Sequence, residues 1–358
     1  MADDFKYHID HHGSLLTPPD LAESRAAGGD PGDGAEDAAV ARALRTQRRL
    51  GLSALSDGEY RRRDHLSVVH DGVAGFGPAG AAAGPLARLV GGRHAPETRA
   101  WADAPAERGR LAKHETDFVL SVSQRPVMIA LPAPGFVAEL AAQATTAAGA
   151  RPPADAGDGL ARILRDEIAA LAADGVRYVL LTNPAYGFLL TQPGRAQAAE
   201  LGLDADAVVE RMLATDGEVL AGLEAPAEFR VGLDVTTAGA ASGPYAAAAV
   251  TAFLSRLPFG RLCVEFGRDG ARRFPLAAVP AGLVLSLGVV DVSDPGLEDV
   301  DELVGRIDAA AETVDIDDIA ISTNGGFHAS PAQIDEGIQH GKLQRVEMVA
   351  RYFWGNEL

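Results

Sequence analysis

The sequence predicts an α/β protein, and specifically a (β/α)8 barrel. Short runs rich in Val, Ile and Leu recur along the 358 residues and alternate with longer amphipathic segments, a pattern typical of βα units in a parallel sheet. Eight such runs with a closing helix in a chain of ~250–400 residues favour a barrel over an open sheet. A composition of 47% hydrophobic and 23% charged residues is that of an ordinary globular protein.

The predicted strands are the apolar runs at 5–10, 52–56, 127–131, 177–181, 230–235, 261–266, 283–290 and 318–322. The predicted helices are the amphipathic segments at 36–49, 135–148, 158–174, 204–222, 244–257, 297–314 and 331–352. Helical spacing is clearest in 297–314, where Val300, Leu303, Val304 and Ile307 recur at steps of three and four residues, which places them on one helix face.

One irregular segment interrupts this alternation, at residues 61–125 between the second and third predicted strands. It is rich in Gly, Ala, Arg and Pro, and loops of this length are usually functional lids, interaction arms or partly disordered segments. We expect residues 1–358 to form a single barrel domain that carries 61–125 as an inserted arm or lid. A homodimer through this arm is a further expectation.

Charge and cysteine content exclude several classes of partner and of functional site. With 32 Lys+Arg against 50 Asp+Glu the formal charge is −18, which argues against nucleic acid or an anionic membrane as partner and favours a small molecule. The single cysteine, Cys263, excludes an internal disulfide and a Cys-rich metal site. The polar start MADDFKYHID lacks the features of a signal peptide, and the apolar runs are shorter than the ~20 residues of a membrane span. We expect a cytoplasmic protein.

Polar side chains gather where the predicted strands end, which is where barrel enzymes carry their chemistry. Carboxylates after the second, fifth, sixth and seventh strands would face one mouth, where they must be paired with arginine, bound to a cation or partly protonated. The run RRRDH at 61–65 adds arginines that can hold a carboxylate or phosphate, although a solvated face is an equal alternative. His11 and His12 are adjacent, so at most one of them faces the pocket.

The order of several motifs resembles that of the cobalamin-independent methionine synthase family, in particular single-barrel members that match its C-terminal catalytic half. The motifs are DHHGSLLTPPDL at 10–21, QRRLGLSALSDGEYRR at 47–62, PVMIALPAP at 126–134, LGVVDVSDPGLEDVDELVGRI at 287–307, GGFHAS at 325–330 and KLQRVEMVARYFWG at 342–355. The resemblance implies a barrel that transfers a methyl group from a methylated folate to a thiol such as homocysteine. A folate co-substrate is therefore possible here.

The resemblance also identifies where this chain departs from the family's zinc site. The family's ligands are a His-x-Cys, a Glu and the Cys of Cys-Gly-Phe, and zinc there makes thiolate available at neutral pH. The matching positions read Asp234-Val235-Thr236, Glu265 and Gly325-Gly326-Phe327. We do not expect the family's zinc. If Asp234 and Glu265 bind a metal, their oxygen ligands suit Mg²⁺, Mn²⁺ or Ca²⁺ better.

At other motif positions, this chain has some of the family's residues and lacks others. Gly13-Ser14 matches the element that holds the amino-acid carboxylate, and Glu59 matches the acid that pairs with the substrate amine. The family's Asp-Glu-Pro reads Thr182-Asn183-Pro184, and its histidine after the seventh strand reads Ser293. The predicted catalytic residues are Glu59, Asp234, Glu265 and His11, which the family match favours over His12. The predicted substrate-binding residues are Ser14, Asp57, Arg61, Asn183, Tyr186, Thr236, Asp291 and Asn324.

Three functions remain open from the sequence. The first is methyl transfer involving a small amino-acid-like or folate-like substrate, without the thiol-activating zinc. The second is a metal-free or hard-metal lyase, hydrolase or decarboxylase that uses the pocket carboxylates as acid and base. The third is a catalytically inactive binder of a small molecule.

Overall fold

The computed structural model describes residues 8–27, 34–241 and 243–355. A two-stranded antiparallel hairpin is formed by β1 (Val73–Ala79) and β2 (Arg99–Glu107). Six further strands form a parallel sheet in chain order: β3 (Met128–Pro132), β4 (Tyr178–Thr182), β5 (Arg230–Asp234), β6 (Arg261–Glu265), β7 (Val284–Val290) and β8 (Ile319–Thr323). The α/β class and the third to eighth predicted strands are confirmed.

The first two predicted strands differ from expectation. Residues 5–7 of the first lie outside the described residues, and its remainder forms an isolated parallel bridge between Ile9 and Ile321 of β8. The second forms only a bridge between Leu55 and Val127. Both segments leave the extended conformation soon afterwards, at Gly13 (φ +82°) and at Gly58 (φ +79°). They flank the two edges of the six-stranded sheet as irregular segments.

The helices are α1 (Pro19–Ala26), α2 (Ala35–Arg49), α3 (Ser67–Gly72), α4 (Pro85–Val90), α5 (Lys113–Val122), α6 (Pro134–Ala147), α7 (Ala156–Asp174), α8 (Pro184–Leu189), α9 (Gln192–Glu200), α10 (Ala205–Gly217), α11 (Ala247–Leu254), α12 (Val300–Ala311) and α13 (Glu336–Trp354). Every predicted helix is present. Six further helices were not predicted from the sequence: α1, α3, α4, α5, α8 and α9. Four of them, α1, α4, α8 and α9, carry a proline in the first turn, where the fixed φ favours helix. No helix in the described part of the chain is long and apolar enough to cross a membrane.

The parallel strands are buried on both faces, so their side chains alternate between two hydrophobic clusters. Ile129, Leu131 and Val179 belong to the large cluster that also contains the helices. Their neighbours, including Met128 and Tyr178, form a smaller cluster on the opposite face. The same alternation places the last residues of β3 to β6 on that opposite face, at the carboxyl edge of the sheet.

Residues 61–125 contain α3, β1, α4, β2 and α5. The hairpin packs through β2 against α6 and α7, and Trp101 of β2 is 5% exposed. Anchored in this way, the segment brings two short stretches, 63–65 and 92–96, to the carboxyl edge of the sheet.

Candidate functional site

A cavity of about 320 Å³ lies at the carboxyl ends of β3, β4, β5 and β8. Ligand sites in parallel α/β folds are found at this edge. Its polar lining residues are His12, Ser14, Glu59, Arg63, Asp64, His65, Arg93, His94, Thr182, Asp234, Thr236 and His328.

One wall of the cavity holds a buried pair formed by His12 and Asp234. The distance from Nδ1 of His12 to Oδ2 of Asp234 is 2.6 Å, and Nε2 of His12 lies 2.8 Å from the backbone oxygen of Thr323. Burial works against a charged His12, but Asp234 outweighs it and raises the pKa of His12. Burial likewise opposes a charged Asp234, and His12 outweighs it to lower the pKa of Asp234. The ionised Asp234 and the backbone oxygen of Thr323 only accept hydrogen bonds, so both ring nitrogens donate and His12 is an imidazolium.

The opposite wall is built around Glu59. Its Oε1 accepts hydrogen bonds from Nη1 of Arg62 at 3.0 Å and from Nδ1 of His65 at 2.8 Å. Arg62 is buried and also donates to both oxygens of Glu115 at 2.8 Å. Burial alone would raise the pKa of Glu59, but His65 and Arg62 lower it to about 2. Glu59 is therefore an ionised carboxylate at neutral pH.

His65 links this wall to the sheet, because its Nε2 is hydrogen-bonded to the hydroxyl of Thr182 at the end of β4. His94 lines the same cavity and has Nε2 3.1 Å from the backbone oxygen of Thr237. Burial lowers the pKa of His94 to about 4, so this ring is neutral and donates its single proton to that carbonyl.

Hydrogen-bond donors lie at the edge of the cavity next to β8. Arg93 donates from Nη1 to the backbone oxygen of Ser330 at 2.7 Å and makes no ion pair among the described residues. His328 lies in the same turn. Ser14 adjoins it, since a Cβ on Gly326 would lie 2.1 Å from the Ser14 hydroxyl oxygen. A side chain at 326 would therefore displace the Ser14 hydroxyl from this position.

Four predicted site residues line the cavity: Ser14, Glu59, Asp234 and Thr236. The expectation that His11 faces it is corrected in favour of His12. His11 points the other way, with Nε2 2.9 Å from the backbone oxygen of Ala54, and burial lowers its pKa to about 4.

Glu265 does not line the cavity. Its Oε1 accepts from the backbone N–H of Thr237 at 2.8 Å, from the Thr237 hydroxyl at 2.5 Å and from the N–H of Gly239 at 3.3 Å. Burial raises the pKa of Glu265. This carboxylate holds the loop after β5 in place.

Asn183 and Tyr186 lie behind the cavity, where both donate to Oδ2 of Asp216, at 3.0 and 2.8 Å. Both are fully buried, so they join α8 to α10 and do not reach a ligand in the cavity. Burial raises the pKa of Asp216 to about 6.

The remaining predicted residues also make internal contacts. Asp291 accepts from Ser293 and from Nδ2 of Asn324 at 2.8 Å, which fixes the loops after β7 and β8. Arg61 pairs with Glu36 and Asp37 on α2. Asp57 accepts from the N–H of Glu59 at 2.9 Å, and burial beside Glu115 raises its pKa to about 7. None of these four predicted residues lines the cavity.

Several residues that line the cavity were not predicted as site residues from the sequence. His12 and His65 were visible as polar residues after predicted strands, and the RRRDH run indicated an arginine, although Arg63 and not Arg61 lines the cavity. Arg93 and His94 gave no signal, because only the packing of the hairpin brings their loop to the sheet.

The described residues contain no group of three or more His, Cys, Asp and Glu side chains that could hold a metal ion. Gly325, which matches the family's second cysteine ligand, has φ +156°, and a Cβ there would lie 2.8 Å from the backbone of Ala238. The local backbone leaves no room for a side chain at 325.

The chain resembles known proteins over nearly its whole length. No family model matches the sequence. The uncharacterized protein YxjH of Bacillus subtilis strain 168 is 26% identical over 384 aligned residues, which cover 97% of this chain and 95% of the relative. YxjG of the same strain is 26% identical over 54% of this chain and 53% of its own length.

Solved structures show the same fold. A B12-independent methionine synthase from Shewanella sp. W3-18-1, in complex with selenomethionine, matches with a TM-score of 0.71 and 16% identity over 97% of both chains. A putative vitamin-B12-independent methionine synthase from Listeria monocytogenes matches with a TM-score of 0.72 and 18% identity over 98% of both. These similarities confirm, at the level of the fold, the resemblance to the cobalamin-independent methionine synthase family.

Proposed function

We propose that this protein is a methyltransferase-like enzyme that transfers a methyl group between small molecules bound in the cavity. The fold shared with methionine synthase structures supports this reaction class. The observation that carries the proposal is the cavity at the carboxyl edge of the sheet, which gathers Ser14, Glu59 and Asp234 around one space. These residues match family positions that bind substrate or metal.

The residues present do not fit the thiol-activating zinc of that family. Oδ2 of Asp234 is engaged by His12, and its Oδ1 accepts from the N–H of Thr236 at 2.8 Å. Glu265 is committed to the loop after β5, and a side chain at 325 would collide with Ala238. We therefore assign no zinc-dependent step to this chain, and place the His12–Asp234 pair where the family holds its metal.

Each wall then has a role in the transfer. The fixed charges of His12 and Asp234 orient the substrate, and Ser14 with Arg93 offers donors to an anionic group. His65, oriented by Glu59, takes the proton from the acceptor as its heteroatom attacks the methyl carbon. The donor leaves with the electron pair of the broken bond and takes up the proton that His65 removed from the acceptor.

The experiment supplies a methylated folate and a panel of small thiol and hydroxyl acceptors, and measures methylated product by mass spectrometry. Glu59→Gln is expected to lower kcat by about 10²-fold or more, because His65 loses its orienting carboxylate. Glu210→Gln, in a surface pair with Arg256, is the matched control with unchanged turnover.

Three outcomes contradict the proposal and identify the alternatives. A product formed without consumption of any methyl donor indicates a lyase, hydrolase or decarboxylase that uses the same carboxylates. Ligand-dependent thermal stabilisation without any product indicates an inactive binder. Activity that requires added Mg²⁺ or Mn²⁺ would show a hard-metal enzyme.

A further inference from the structure

Three cavity-lining side chains form a continuous hydrogen-bonded line: Glu59, His65 and Thr182. Oε1 of Glu59 is 2.8 Å from Nδ1 of His65, and Nε2 of His65 is bonded to the hydroxyl of Thr182. A hydroxyl beside a base that is itself oriented by a third group is the structural signature of an activated nucleophile.

The partners of His65 distinguish it from the other histidines bonded in this region. Both partners of His12 are acceptors only, and the bonded partner of His94 is a backbone carbonyl. A hydroxyl, in contrast, can donate or accept. His65 can therefore take up a proton at Nε2 and still keep its hydrogen bond to Thr182.

The wall built around Glu59 also fixes the orientation of His65 and places a negative charge beside it. Glu59 is held by Arg62, which is anchored in turn by Glu115. Since Nδ1 of His65 donates to the ionised Glu59, Nε2 is the nitrogen left to accept the Thr182 proton. Glu59 then stabilises the imidazolium that forms.

The N-terminus of α6 follows the strand that pairs with Thr182. Pro132 of β3 is in register with Thr182, and α6 begins two residues later. Phe136, in the first turn of α6, lines the cavity. The N-terminal end of the α6 dipole can stabilise negative charge that develops on a carbonyl oxygen in the cavity.

We propose that Glu59, His65 and Thr182 form a nucleophile-activating triad that gives the cavity an acyl-transfer activity toward small carboxylic esters. The Thr182 oxygen attacks the ester carbonyl while its proton passes to Nε2 of His65. The alcohol leaves with that proton, and Thr182 remains as an acyl ester. Water, deprotonated by His65, then hydrolyses this ester and restores the hydroxyl.

The test uses p-nitrophenyl acetate with the full-length protein, and needs neither a methyl donor nor an acceptor. We expect release of p-nitrophenolate together with a gain of one acetyl group in the intact mass, mapped by peptide analysis to Thr182. Thr182→Val and His65→Gln should each lower the rate at least 10²-fold. Thr182→Ser, a less hindered primary alcohol, should retain the activity.

Thr251→Val is the matched control, because Thr251 is exposed on α11 and bonds only its own helix. Acetylation that maps elsewhere, or a rate unchanged in folded Thr182→Val, would overturn the triad. So would a wild-type protein that neither becomes acetylated nor releases p-nitrophenolate. Because the probe is independent of methyl transfer, each activity can be found or lost without the other.

Discussion

The two walls of the cavity each pair a histidine with a carboxylate, yet the pairs differ in what they can do. On the wall formed by β5 and β8, His12 donates to Asp234 and to the backbone oxygen of Thr323. On the wall formed by residues 59–65, His65 contacts Glu59 and the hydroxyl of Thr182. The partner of the second ring nitrogen decides the role. A carbonyl fixes His12 as a charged structural group, whereas a hydroxyl leaves His65 able to exchange a proton.

The largest expected effect comes from breaking the His12–Asp234 pair. Asp234→Ala leaves a buried imidazolium without its counter-charge, so the free energy of unfolding should fall by about 3–5 kcal/mol. Denaturant unfolding at pH 7 measures this. A loss below about 1 kcal/mol would show that the pair does not carry the charge assigned to it.

The pH dependence of stability separates His12 from its neighbour His11. The pKa of His12 is raised, so its contribution is complete below its ordinary value and is lost as the pH rises through the folded value. The pKa of His11 is lowered from 6.5 to about 4, so its contribution is complete above 6.5 and is lost on acidification, by up to about 3 kcal/mol.

Unfolding curves between pH 4 and 9 test these opposite signs, with the chemically similar variants His11→Asn and His12→Asn. His11→Asn should lose the decrease in the free energy of unfolding on acidification and keep the decrease at high pH. His12→Asn should show the reverse. Identical slopes in both variants would contradict the placement of the two rings.

A smaller effect tests the residues behind the cavity. Asn183→Ala removes a donor to the buried Asp216 and should cost about 1–3 kcal/mol of stability. Ligand affinity should not change, because Asn183 does not line the cavity. Isothermal calorimetry with a ligand found in the acceptor screen checks this. Weaker binding by the variant would show that Asn183 contributes to the ligand site.

The smallest stability effect is expected at His65, whose side chain is 28% exposed. His65→Gln should change the free energy of unfolding by less than about 1 kcal/mol, although we expect it to abolish reactivity. A loss as large as that of Asp234→Ala would mean that the two walls are equally structural.

Much of the fold followed from periodicity. Six parallel strands and all seven predicted helices are present. They were predictable because a regular spacing of apolar residues identifies the face of a strand or helix that is buried. The first two strands were over-predicted. Residues 52–56 have strand-like composition, but the positive φ values at Gly58 and Glu59 end the extended conformation almost at once.

The site was predicted less completely, for physical reasons. Strand ends correctly located Asp234 and Thr236, since chain direction alone places them at the carboxyl edge. The direction of a side chain within an irregular segment cannot be read from strand alternation, and the family match favoured His11 over His12. Arg93 and His94 reach the cavity only through the packing of a hairpin on distant helices.

The most direct test of the account is the zinc content of the protein purified in the presence of Zn²⁺, measured by inorganic mass spectrometry beside the Asp234→Ala variant. With Asp234 committed to His12 and no room for a side chain at Gly325, we predict substoichiometric zinc that is the same in both proteins. One zinc per chain, lost in Asp234→Ala, would contradict the account and restore a thiol-activating metal to this cavity.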